Sequence, residues 1–189
     1  MQPEIGALAR QVAAHLDGFT AVHRDHNACL RGPDGQELWL HPMWNHPGRV
    51  EIGGHYPPCD ETYRLPSHKI TVAVARGPQT IAKEITRRLL PAYQHDLKIA
   101  HDRIAQTARD HQQRTRHAAA LRATIGGCRI SDDQRETMIV WYEHGSGGGS
   151  IRLHGDGSSA AIELHAAGPE LTRRIADAVA ADISRATQA

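Results

Sequence analysis

The chain has 189 residues, 40% of them apolar and 23% charged, with a net charge of +1. That composition excludes a disordered chain and suffices for one sizeable core or two small ones. No apolar run approaches the roughly 20 residues that span a bilayer, and three scattered cysteines, Cys29, Cys59 and Cys128, exclude a disulfide framework and point to a reducing cytoplasm.

The basic residues are 19 arginines against three lysines, and there is a single phenylalanine. Arginine, alanine, glycine and proline have GC-rich codons, so the composition reads as a high-GC bacterial, phage or plasmid genome. Charge is uneven along the chain. Residues 1–80 hold 7 basic and 8 acidic side chains, residues 81–124 hold 9 and 4, and residues 125–189 hold 6 and 9. A basic middle between mildly acidic ends is the pattern of a polyanion-binding surface, and also of an ordinary solvated helix.

In chain order, Ile5, Leu8, Ala9, Val12 and Leu16 recur at helical spacing, and Asp17-Gly18 stops that helix. The start, MQPEIGALARQVAAHL, lacks the basic opening and unbroken apolar core of a secretory signal. Extended segments follow: FTAVHR (19–24), ACLRG (28–32), QELWLHPM (36–43), GRVEIGGHY (48–56) and HKITVAVA (68–75). Gly77-Pro78 then opens a helix with Ile81, Ile85 and Leu89 on its buried stripe. Pro91 predicts a kink or an end. A helix over roughly 93–122 follows, closed by Gly126-Gly127. The last third reads as strands at 136–144, 150–155 and 159–167, with GSGGGS (145–150) as a flexible hairpin loop. Gly168-Pro169 opens a final helix with Leu171, Ile175, Val179 and Ile183 on one face.

The segments around Gly77-Pro78 and Gly168-Pro169 have the same form: apolar strand, Gly-Pro corner, amphipathic helix with paired arginines. The predicted fold is therefore α+β. Two similar lobes, residues 1–92 and 125–189, each carry an antiparallel sheet covered by a closing helix, with a helix over 93–124 joining them, as from an internal duplication. In element order each lobe resembles the double-stranded-RNA-binding domain, and the pair resembles the saddle of TATA-binding proteins. The last helices begin PQTIAK and PELTRR where the former domain places lysines, and one phenylalanine does not supply the wedges of the latter. The chain is assigned to neither family.

Three chemistries are candidates. The stretch 39–60 gathers His41, His46, His55 and Cys59, with Asp60 and two tryptophans, as weak candidates for a metal site. The pairs match no zinc signature and the chain scatters 14 histidines, so no metal or cofactor is expected. The second is nucleophilic or phosphate-cradling catalysis, but no nucleophile elbow or P-loop is present, and no catalytic residue is assigned. The third candidate is the basic helix, with Arg87, Arg88, Lys98, Arg103, Arg109, Arg114, Arg116 and Arg122 on it or just before it. The reading is a non-enzymatic binding protein, with nucleic acid as first partner along that helix. The alternative is a protein-binding adaptor or inhibitor, a phage or plasmid accessory factor acting on a host protein, or a homodimer. A metal-dependent enzyme using residues 41–60 comes third.

Overall fold

The computed structural model describes residues 4–24, 27–59, 62–125, 127–133, 135–143, 147–165 and 168–187. Asp60, Gly126, residues 144–146 and Ala166 lie outside them, as does the side chain of Ile183. The chain is α+β, with two antiparallel sheets and one long helix between them in sequence. It divides into two compact units, Met1–Ala105 and Gln106–Ala189, and the division falls within the long helix.

In the first unit, helix α1 (Ile5–Ala13) buries Ile5, Leu8, Ala9 and Val12, as their spacing requires. Gly18 turns the chain at φ 75 into a five-stranded meander. Its strands are β1 (Thr20–Arg24), β2 (Asn27–Arg31), β3 (Glu37–Pro42), β4 (Arg49–His55) and β5 (Lys69–Ala73). Register pairs Ala28 with Leu40, Leu40 with Ile52 and Ile52 with Ile70. Directly opposed residues share a face, so these four form one apolar row across the sheet. All four are buried, with α1 and helix α2 (Pro78–Glu84) contributing Leu8, Val12 and Ile81 to the same core. Val74, expected to extend β5, instead enters a short turn over Val74–Arg76.

Pro91 does not end the following helix. The backbone passes from α2 through one π-helical segment, Ile85–Leu89, into α3 (Leu90–Ile125). The N–H of Leu90 donates to the carbonyl of Ile85, five residues back. This wider turn just ahead of the proline changes the hydrogen-bond register where Pro91 has no N–H to give. Ile85, Leu89, Tyr93 and Leu97 all reach the first core.

The second unit's sheet is a four-stranded meander of β6 (Arg129–Asp132), β7 (Glu136–Glu143), β8 (Gly147–His154) and β9 (Ser159–His165). β6 was not anticipated. Gly147–Gly149, expected in a loop, pair with Glu143, Tyr142 and Trp141. A side chain at position 149 would overlap the Trp141 ring and the Glu163 carbonyl, so the glycine run here fits a crowded strand. An apolar row again crosses the sheet, through Ile130, Ile139, Ile151 and Ile162. Ala118 of α3, with Leu121 and Ile125 beside it, packs on Ile139, Ile151 and Leu153. The last helix, α4 (Pro169–Thr187), is where the expectation fails. Instead of closing a core, its described side chains are all exposed, including Leu171 at 43%, Ile175 at 37% and Val179 at 53%.

Candidate functional site

Strand β5 ends in the Val74–Arg76 turn, and Gly77, at φ 78, swings the chain into Pro78 and α2. Only glycine adopts that φ without strain, and proline presets the first helical residue. The corner carries Arg76 back over the end of α2, where Glu84 sits. Arg87 and Arg88, the third and fourth residues of the π-helical segment, come round to the same carboxylate. Glu84 Oε1 accepts from Arg76 Nη2 at 3.4 Å and from Arg87 Nη2 at 3.2 Å. Its Oε2 accepts from Arg88 Nη1 and Arg87 Nη2, both at 3.2 Å.

The charges in this cluster do not cancel. Three guanidiniums on one carboxylate leave a local charge of +2. Glu84 is buried, whereas the side chains of Arg76, Arg87 and Arg88 are 51%, 73% and 49% exposed. The hydrogen bond from Arg88 is the largest influence holding the Glu84 carboxyl below its usual range. Desolvation opposes it, while the bond from Arg87 and the charges of Arg87 and Arg76 reinforce it. A carboxylate offers roughly four acceptor positions and three guanidiniums roughly fifteen N–H donors, so most donors remain for another anion. The fixed fork of arginine suits phosphate oxygens in particular.

The same end of the sheet presents an aromatic ring. The turn between β3 and β4 is bound to the arginine corner by the Val74 N–H, which donates to the Gly48 carbonyl at 2.8 Å. Trp44, in that turn, is 88% exposed.

The other basic residues are dispersed. Lys98, Arg103, Arg109, Arg116 and Arg122 are exposed along α3, with Arg109 donating to Gln106 Oε1 at 2.7 Å. Arg114 is a correction, because it is 2% exposed. Its Nε donates to Thr137 Oγ1 at 3.2 Å, its Nη1 to the Gly155 carbonyl at 2.5 Å and its Nη2 to the Asp133 carbonyl at 3.1 Å. It fastens two turns of the second sheet and is not available to a phosphate backbone. Periodicity hides this, because Arg114 occupies the helix face of Ala118 and Leu121, where an apolar residue is the usual occupant.

The histidines expected near one another are spread out. His41 opposes Glu51 and His55 opposes Glu37 in the β3–β4 register, which puts them about 13 Å apart along the strand. His41 stacks on Trp39 at 4.6 Å between ring centroids and pairs with Glu51 at 3.2 Å. His46 is exposed in the β3–β4 turn, and Cys59 lies in the loop that Thr62 fastens. Among the described residues no three His, Cys, Asp or Glu side chains gather as metal ligands would.

Arg76 and Glu84 were missed from the sequence. The Glu-x2-Arg-Arg spacing of 84, 87 and 88 was the available signal, since i,i+3 and i,i+4 partners meet on a helix. The contribution of Arg76 depends on the corner geometry, which spacing does not show. Among the described residues no helix is long and apolar enough to cross a membrane. No protein-family profile, curated protein or solved structure matches the chain.

Proposed function

We propose that this chain is a non-enzymatic binding protein whose first partner is nucleic acid. The arginines of the Gly77-Pro78 corner take the phosphates, and Trp44 offers a face to an unpaired base. The observation that carries this reading is Glu84 holding Arg76, Arg87 and Arg88 together while all three stay exposed. A buried carboxylate that fixes three guanidiniums lowers the entropy they lose on meeting a phosphate. An exposed tryptophan at the same end of the sheet favours single strands, because stacking needs an open base face. The exposed arginines of α3 supply further charge, without Arg114.

The reading also takes the two units as descendants of one. In support, each runs helix, antiparallel meander, Gly-Pro corner and helix, with an apolar row ending on the last strand. The protein-binding alternative, including an accessory factor acting on a host protein, draws its support from the exposed apolar stripe of α4.

The test is a titration of single-stranded DNA and RNA at several salt concentrations. The expected result is binding with a log–log salt slope of about −0.7 per phosphate neutralised, flattened by about two units when Arg76, Arg87 and Arg88 are all changed to glutamine. No binding to either strand type at micromolar protein and low salt would refute the nucleic-acid reading.

A further inference from the structure

Among the described residues two apolar surfaces of the second unit have no cover, and the first unit shows what such surfaces normally meet. In the first sheet the row Ala28–Leu40–Ile52–Ile70 is buried to its end on β5. The helix that follows β5 buries Ile81 in the same core, and Ile85 and Leu89 continue its stripe inward. In the second sheet the matching row runs Ile130–Ile139–Ile151–Ile162 and is buried at Ile139 and Ile151. It ends in the open, with Ile162 66% exposed on β9. The helix that follows β9 is α4, and its stripe of Leu171, Ile175 and Val179 is exposed as well. A sheet end that lacks a helix and a helix that lacks a sheet are complementary in shape and chemistry, and each copy of the chain carries both.

We infer that a second copy of this chain covers them, with α4 of each copy lying on the β9 end of the other's second sheet. A two-fold axis that seats one helix on the partner's sheet seats the partner's helix in return, so the assembly closes as a dimer and does not grow. The size is adequate. A 19-residue helix is about 28 Å long and about 10 Å across, so one face presents on the order of 300 Å². Two reciprocal contacts of two faces each bury about 1,200 Å², the lower bound for a specific interface. β9 also ends its sheet with an open edge, and across Ser159–His165 it has no lysine or proline to discourage another chain. This inference does not depend on the nucleic-acid reading.

The experiment measures mass in solution by light scattering and sedimentation for the full chain and two variants. The expected wild-type mass is twice 20.7 kDa. Ile175→Glu on the helix and Ile162→Lys on the sheet each remove an exposed apolar contact, and each should raise the dimer dissociation constant at least about tenfold. Circular dichroism of both variants should match the wild type, since neither side chain is buried in the single chain. Mixing the two variants should restore dimers, because one contact is then wild type and the other pairs glutamate with lysine. A wild-type chain that stays at 20.7 kDa at every concentration overturns the inference. So does a dimer indifferent to both substitutions. A rescue that appears only when both changes are in one chain would mean that α4 closes on its own sheet, and it overturns the inference equally.

Discussion

Gly54 lies against the ring of Tyr93, so closely that a methyl group on the glycine would overlap the ring. The Tyr93 hydroxyl donates to the His55 carbonyl at 2.8 Å and accepts the Glu37 N–H at 3.0 Å. Burial pushes the phenol's pKa up, with the Glu37 N–H partly offsetting it. Glycine thus admits a large ring to the sheet surface, and the ring's polar end satisfies two strands. Gly54→Ala should destabilise the first unit by about 1–3 kcal/mol through overpacking. Tyr93→Phe should lose about 1–3 kcal/mol by leaving the Glu37 N–H and the His55 carbonyl short of a partner. Chemical denaturation would measure both, and a neutral Gly54→Ala would show that the ring has room to move.

Arg114 should behave as a core residue despite its charge. Arg114→Met keeps most of the volume but removes the donors to the Asp133 and Gly155 carbonyls, so a loss of about 2–4 kcal/mol is expected. Arg116→Gln, two residues on and exposed, should cost under about 0.5 kcal/mol. Thermal melts of the two variants give the comparison, and equal effects would contradict the structural role.

Trp44 should report directly on the proposed partner. Single-stranded nucleic acid should quench its fluorescence, and Trp44→Ala should weaken binding by about 1–3 kcal/mol with the salt slope unchanged. Arg87→Gln should instead flatten the slope by about one unit or less. If Trp44→Ala alters the slope and leaves the salt-independent term intact, base stacking is not the role of this ring.

Acid should loosen the second unit through Asp132. Its carboxyl is held below the usual 3.8 chiefly by the hydroxyl of Thr137, with His111 adding a hydrogen bond and charge, while desolvation opposes. A depressed folded-state pKa gives stability that is complete above the unfolded value and is lost as pH falls through the folded one. Urea midpoints of the wild type should therefore drop below about pH 4, and Asp132→Asn should remove that part of the drop. A variant with the same acid profile as the wild type would assign the loss to other carboxylates.

The strands were legible where side chains alternate between a buried and an open face. Ile70 and Val72 declare β5, and Val50 and Ile52 declare β4, because period two leaves little choice of face. β6 was not legible, since Arg129–Asp132 offers only Ile130 to the core. The glycines at 147–149 misled because they are ordinarily loop formers, and the Trp141 ring and the Glu163 carbonyl explain Gly149 within a strand. Of the candidate site, Arg87 and Arg88 were readable on a basic helix. Arg76 came from a corner in three dimensions, and Arg114 was lost to burial that its charge gave no reason to expect.

The extra width of the turn over Ile85–Leu89 and the proline at 91 act as a compensating pair. Removing one residue from that turn would advance everything after it by about 100° around the helix. Tyr93 and Leu97 would swing off the sheet, and Pro91 would press on a backbone carbonyl. Replacing Pro91 alone would leave the added residue with no function, and Arg87 and Arg88 would be free to return to an ordinary spiral. Lineages of this protein should therefore gain or lose the added residue and the proline together.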